Sequence, residues 1–111
     1  MANEIRDTCA VDTITLVAEF SDPDKVEKVV KKVRERRLEI GVLVNNVGMM
    51  GPHFLPFLEL EAAAARDMVT VNCTSATVLT HSLLPAMLAR GRGAVVNIVS
   101  STSFYVIIYY R

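Results

Sequence analysis

The chain has 111 residues, of which 51% are hydrophobic, and its 12 Lys plus Arg are balanced by 12 Asp plus Glu. That length fits at most one ordinary domain with a sizeable core, and a balanced charge excludes the global basic field that gathers nucleic acid. Two cysteines without CxxC spacing and two histidines assemble no metal site by motif, so both thiols read as reduced.

The N-terminal stretch "MANEIRDTC" is charged and lacks an apolar signal region, and Asn, Pro or Ser interrupts the longest apolar runs well short of about 18 residues. Neither a signal peptide nor a membrane span is expected, which places the chain, made as it stands, in the cytoplasm. "TITLVAEF" (13–20) is rich in β-branched residues and sets Ile14, Leu16, Ala18 and Phe20 on one face at period two, a strand pattern suited to a sheet edge. In "SDPDKVEKVVKKVRERRL", Ser21 or Asp22 can cap, Pro23 suits the first turn, and Val26, Val29, Val30 and Val33 recur at helical spacing. An amphipathic helix results, with cations at its C-terminal end, where the helix dipole favours them. Its basic residues form a solvated face rather than a nucleic-acid patch.

"GVLV" and "AVVNIV" (94–99) are apolar on both faces, as central parallel strands covered by helices are. Between them lie a loop punctuated by Gly and Pro (48–56) and a helical stretch from about Leu60 to Arg90, which Pro85 is expected to kink or split. Gly91 and Gly93 mark its end. The alternation of strand and helix predicts an α/β domain with a parallel sheet. The tail, 103–111, differs in character: it is aromatic, β-prone and carries one charge, an aggregation hazard when exposed.

Ligands of open α/β sheets bind beyond the carboxyl ends of the strands. Those ends offer Glu19 and Phe20, then Asn45, Asn46, Val47 and Gly48, then Ser100 and Ser101. Each has a plain alternative as a surface acid, a turn former or a polar strand end. Asn72 is a mediocre helix former in mid-helix, so it marks either a surface position or a local irregularity that frees groups for hydrogen bonding.

"LVNNVG", then "VTVN", then "GAVVNIVSS", in that order and spacing, resemble the short-chain dehydrogenase/reductase superfamily, and "IGVLVNNVGM" with "LLPAMLARGRGAVVNIVSS" is similar to its 17β-hydroxysteroid dehydrogenase and very-long-chain 3-oxoacyl-CoA reductase branch. The likeness runs from about Asn3 to Thr102. It implies a partial Rossmann-like, doubly wound parallel sheet with strands corresponding to 3, 4 and 5 only, and residues 1–111 as part of a dinucleotide-binding domain. It also implies NADP(H) or NAD(H) as cofactor and hydride transfer at a ketone or alcohol carbon of a lipid or steroid substrate. By the same resemblance Glu19 and Phe20 lie at the adenine, and Asn46, Val47 and Gly48 lie along the adenosine ribose. Asn45 ties neighbouring strands, Asn72 supports a proton relay, and Ser100 hydrogen-bonds the reacting carbonyl oxygen. A homo- or hetero-dimer through helix 60–90 and an endoplasmic reticulum location are further implications.

Two family features have no counterpart in these 111 residues: the phosphate-cradling Gly-rich turn, and a Tyr-x-x-x-Lys motif about thirteen residues beyond Ser100 that serves as general acid. The expectation is therefore a fragment or isoform of an oxidoreductase, inactive alone, or else a non-catalytic protein that pairs with a full-length relative through helix 60–90. In the doubly wound order two strands separate 3 from 4, so 13–20 is expected to lack a neighbour and the isolated chain to be poorly stable, with 41–100 retaining a strand–helix–strand unit.

Overall fold

The computed structural model describes residues 2–51 and 56–101. In chain order they form α1 (Ala2–Cys9), α2 (Pro23–Glu35), β1 (Val42–Asn45), a 3-10 turn (Phe57–Glu59), α3 (Ala62–Val69), a π-helical turn (Thr70–Thr74), α4 (Ser75–Ala89) and β2 (Ala94–Asn97). The tail 103–111 lies outside the described residues, as do 52–55 of the Gly/Pro loop.

Helix α2 starts where the sequence places it: Asp22 is the N-cap, its carboxylate accepts from the Asp24 amide at 3.0 Å, and Pro23 occupies the first turn. Its valine stripe buries Val26 and Val30. The helix ends in a Schellman motif, with the Arg37 amide donating to the Arg34 carbonyl at 2.9 Å and the Leu38 amide to the Val33 carbonyl at 3.1 Å. Arg37 therefore takes a φ of 52°, the left-handed region that glycine occupies without penalty. The same motif closes α4 with Gly91 at that position, at φ 66°. Arg37→Gly should therefore stabilise the chain by about 1 kcal/mol, read as a higher urea midpoint at unchanged slope.

The sheet has two parallel strands in the register Val42↔Ala94, Leu43↔Val95, Val44↔Val96 and Asn45↔Asn97. Alternation along β1 divides its side chains. Asn45 reaches Thr80 of α4, so Leu43 and Asn45 face the helices while Val42 and Val44 face away. The buried apolar residues are Val26 and Val30 of α2, Val71 of the π turn, and Leu83 and Met87 of α4. They form a seam between α2 and the long helix. Arg34 donates to the Ser82 carbonyl at 3.1 Å and ties the two helices at its rim. Where the chain leaves α4, a Cβ added at Gly93 would lie 2.9 Å from the Met87 Cβ and 2.5 Å from its Cε. Gly93→Ala should accordingly cost about 1–3 kcal/mol, measured by denaturant unfolding, because the Met87 Cβ is fixed to the helix and cannot retreat.

Two expectations change. Residues 13–20 form no strand. Leu16, Ala18 and Phe20 are half-buried and Val17 and Glu19 exposed, so the period-two pattern is present from Leu16 onward, though Ile14 is exposed, and among the described residues no segment pairs alongside to complete a ladder. The long helix is interrupted at Thr70–Thr74, whereas Pro85 sits within continuous α4. Pro85 is accommodated inside α4 at the loss of one hydrogen bond of the helix ladder, whereas Thr70, Ser75 and Thr77 turn hydroxyls onto the carbonyls of Arg66, Val71 and Cys73 at 3.0, 2.6 and 2.9 Å. Such back-bonding competes with the regular ladder and bends helices. The N-terminal segment, read from the sequence only for its charge, is helical as α1, with no buried residue.

Candidate functional site

The polar residues gather where both strands end. The irregularity expected around Asn72 is a π turn in which the Ser75 amide bonds the Thr70 carbonyl, a widening often found at functional positions. It presents Asn72 toward the loop after β1. Asn72 Oδ1 accepts from the Met49 amide at 2.8 Å, and its Nδ2 donates to the Met49 carbonyl at 2.7 Å. One side-chain amide thus satisfies both backbone groups of a single residue, holding the loop 46–49 against the helix.

Asn45 works across the strands. Its Nδ2 donates to Asn97 Oδ1 at 2.8 Å and to Thr80 Oγ1 at 3.1 Å, joining β1, β2 and α4 at one point. Its Oδ1 is buried without a partner. An unmet acceptor of this kind costs about 1–3 kcal/mol, so the junction is held for position rather than stability. Asn97, Thr80 and His81 were not singled out from the sequence. The available signal was symmetry: an asparagine breaks an apolar run at the fourth residue of both strands.

Two cavities flank the loop, and Val47 borders both. The larger is an open cleft of about 490 Å³ bounded by Asn45, Asn72, Thr77, Thr80, His81 and Asn97. No Asp, Glu, Lys or Arg lines it, and its size is ordinary for a small-molecule site. The smaller, about 70 Å³, brings Phe20 to Val44, Asn46 and Val47. Ser100 lies just beyond the Val99 edge of the cleft and is exposed. Glu19 stands apart from both cavities. Its carboxylate accepts from the Ser21 hydroxyl at 3.0 Å, the local turn-stabilising role that the plain reading gives it.

Gly48 is informative. A Cβ there would meet only Asn72 Oδ1 at 3.4 Å, an ordinary contact, and its φ is not positive. Among the described residues nothing demands glycine at this position.

The profile of the short chain dehydrogenase family matches residues 1–110. The chain belongs to that family. Among curated relatives, it is 33% identical over 102 residues to the inactive hydroxysteroid dehydrogenase-like protein 1 of Homo sapiens, covering 92% of this chain and 31% of that protein. It is 35% identical over 108 residues to the very-long-chain 3-oxoacyl-CoA reductase of Bos taurus, covering 95% of this chain and 34% of the reductase. The chain thus spans about a third of the length of these curated relatives. Among solved structures, the short-chain dehydrogenase of Sphingobium yanoikuyae in complex with NADPH superposes with a TM-score of 0.81 at 32% identity, over 93% of this chain and 39% of that one. The architecture is a partial Rossmann fold, in which β1, α3–α4 and β2 form a strand–helix–strand unit.

The described residues fit one part of a dinucleotide and not another. Phe20, Asn46 and Val47 line the smaller cavity, whose wall carries no charged side chain, and Gly48 follows directly in sequence, so an uncharged group such as a nucleoside meets no repulsion there. A pyrophosphate needs a helix N-terminus free of negative charge. Helix α1 carries Glu4 in its first turn, α2 begins with Asp22, Pro23 and Asp24, and α3 follows Glu59 and Glu61, so none of these three described starts suits it.

No described helix is long and apolar enough to cross a membrane, and no metal-binding cluster exists among the described residues.

Proposed function

We propose that this chain is a central segment, a fragment or isoform, of an NAD(P)(H)-dependent oxidoreductase acting on the ketone or alcohol group of a steroid or 3-oxoacyl-CoA, and that it does not turn over alone. The observation that carries the reading is the amide clamp of Asn72 on Met49, which builds a preorganised rim beside Gly48, a glycine that no contact among the described residues requires. The names of the relatives supply the substrate class: one is a 3-oxoacyl-CoA reductase, and another is a hydroxysteroid dehydrogenase-like protein described as inactive. The endoplasmic reticulum is the location that goes with this branch.

When bound, a nicotinamide cofactor supplies or accepts the hydride. The chain's own groups have narrower tasks. Phe20, Asn46, Val47 and Gly48 take the adenosine side, with Glu19 close by in sequence. Ser100 offers its hydroxyl to the carbonyl oxygen of the substrate. Asn72 is a positioning residue, since both ends of its amide are engaged by Met49 and hold the loop between the two cavities. The proton donor and the phosphate cradle come from elsewhere.

The test is the absorbance of NADPH mixed with the 111-residue chain and either a 17-ketosteroid or a 3-oxoacyl-CoA. No consumption above the blank is expected. Turnover at rates usual for enzymes, about 1 per second or more, would overturn the reading of an incomplete site.

A second reading is favoured by the long helix. From Met68 to Ala89 it carries no Asp, Glu, Lys or Arg, and Val69 and Leu88 are exposed. A helix without a charged face is usually covered on all sides. In this reading the chain pairs with a full-length relative through helix 60–90. Co-purification with a tagged full-length relative is expected, and failure to associate under conditions that preserve dimers would end it.

A further inference from the structure

We infer that the open outer edge of β2 is paired by the chain's own residues 104–110, which return from a turn at 100–103 as an antiparallel strand and fill the groove between that edge and α4. Geometry carries this whether or not a cofactor meets Asn46–Gly48.

The strand β2, with the residues that continue it to Val99, is poorly covered for its composition. It is apolar at every position but Asn97, the pattern of a strand enclosed on both faces, yet Val96 is 41% exposed, Ile98 56% and Val99 72%. Its backbone is open on one side as well. The Ala94 amide donates to the Gly41 carbonyl at 3.0 Å and the Ile98 amide to the Asn45 carbonyl at 2.9 Å, so residues 94, 96 and 98 turn their backbone groups toward β1. Alternation then aims the amides and carbonyls of Val95, Asn97 and Val99 away from it. Among the described residues no strand takes them up. An edge of this kind is a template for another strand.

Two cavities lie along that edge, both walled by α4. The cleft of about 490 Å³ runs beside Asn97, Ile98 and Val99 and meets Thr77, Thr80 and His81. A second cavity, of about 280 Å³, runs beside Ala94 and Val95 and meets Leu84 and Leu88. The first therefore lies toward the end where the chain leaves β2, and the second toward Gly93. No acid lines either, and the single base is Arg92. Such walls suit an uncharged strand.

The chain supplies one directly downstream. After Val99 come Ser100, Ser101, Thr102 and Ser103, a run of hydroxyl residues that favour turns, and Ser101 already follows a 3-10 turn. The run "FYVIIYY" (104–110) comes next, β-prone and without charge. Parity fixes the register. Because Val99 turns its backbone groups outward, it belongs to a pair that exchanges both hydrogen bonds, and the four residues 100–103 close that pair between Val99 and Phe104. Four-residue hairpin loops are most often built on a type I turn, the unit from which 3-10 turns are made. Asn97 then pairs with Val106, and Val95 with Ile108.

Alternation places Phe104, Val106 and Ile108 on the face of Asn97, whose side chain bonds Asn45 on the α4 side. Phe104 and Val106 thus enter the larger cavity, and Ile108 enters the smaller beside Leu84 and Leu88. The sheet becomes mixed, with an antiparallel edge strand, as larger α/β sheets often have. The larger cleft is then closed by the chain itself, and a run that is an aggregation hazard when exposed has its partner in the same molecule. A loop this short costs less to close than docking a separate chain.

Backbone amide exchange of the 111-residue chain, compared with its Val106→Pro variant, is the first test. Proline removes the amide that meets the Asn97 carbonyl and leaves the seam of α2 and α4 untouched. The Asn97 and Val99 amides should exchange at least about 10-fold more slowly in the parent, with Leu83 of α4 equally protected in both. A disulfide then checks the register without relying on stability. Val96 and Ile107 form a pair without hydrogen bonds, whose Cα atoms lie about 4.5 Å apart, within disulfide reach. With Cys9→Ser and Cys73→Ser in place, V96C with I107C should oxidise to an intramolecular disulfide, whereas V96C with V106C, whose side chains point to opposite faces, should not. Equal exchange at Asn97 and Val99 in parent and variant overturns the inference. So does the absence of a disulfide at V96C with I107C, or one that forms as readily at V96C with V106C. A disulfide that joins two chains, or protection that falls on dilution, overturns it equally by assigning the edge to a second copy.

Discussion

Met87→Ala will remove most of the cooperative stability of the isolated chain. Met87 is almost wholly buried between α2 and the Gly93 turn, one of five buried apolar side chains among the described residues. Truncating a buried Met costs about 2–5 kcal/mol from lost transfer energy and the cavity left behind. A domain of this size commonly has only about 5–15 kcal/mol to lose, and a core of five lies at the lower end. Urea unfolding followed by circular dichroism should show the transition move to lower denaturant or disappear. A shift under about 0.5 kcal/mol, the size of an ordinary surface substitution, would mean that the seam between α2 and α4 is not what holds the chain together.

Asn72→Ala will free the loop after β1 while leaving the helix in place. Two hydrogen bonds to Met49 are lost, and at about 0.5–1.5 kcal/mol each the loop is destabilised by about 1–3 kcal/mol. Exchange at the Met49 amide should rise accordingly, with α4 unaffected. Asn72→Asp separates the two halves of the clamp. An ionised carboxylate still accepts from the Met49 amide, but it sets a second oxygen against the Met49 carbonyl, so protection is only partly kept near neutral pH. Protonation restores a donor, so protection should return as the pH falls. Protection at Met49 that is equal in all three proteins would show that the loop is held by something other than this side chain.

Much of the fold was legible because local physics and tertiary position agreed. The Asp22–Pro23 cap, the valine stripe of α2, and the two short apolar strands each have a local cause that packing reinforces. Residues 13–20 show the limit of such reading. Periodicity describes which way side chains point, but a strand also needs a neighbour, and that is a property of the sheet rather than the segment. The break in the long helix was sought at Pro85, the strongest single breaker, yet it falls at Thr70–Thr74, where several hydroxyls act together on the backbone. Helix propensity is read residue by residue, and this effect is collective. At the site, Asn45 and Asn72 stood out because amides are anomalous in apolar runs. Asn97 obeyed the same rule, but its partner is in register only once the strands are paired. Thr80 and His81 had no local anomaly at all.

The central claim is that the loop from Asn46 to Gly48 faces the adenosine side of a nicotinamide cofactor. The direct measurement is a titration of the isotopically labelled 111-residue chain with NADPH, followed by backbone amide shifts. Without a pyrophosphate cradle the contact should be weak, on the order of 4 kcal/mol and therefore half-saturated near about 1 mM. The account predicts shifts confined to Phe20 and Asn46–Gly48, reduced in Gly48→Leu, whose side chain occupies the approach. Shifts centred on Thr77 and His81 in the larger cleft, or a Gly48→Leu chain that responds as the parent does, would contradict it.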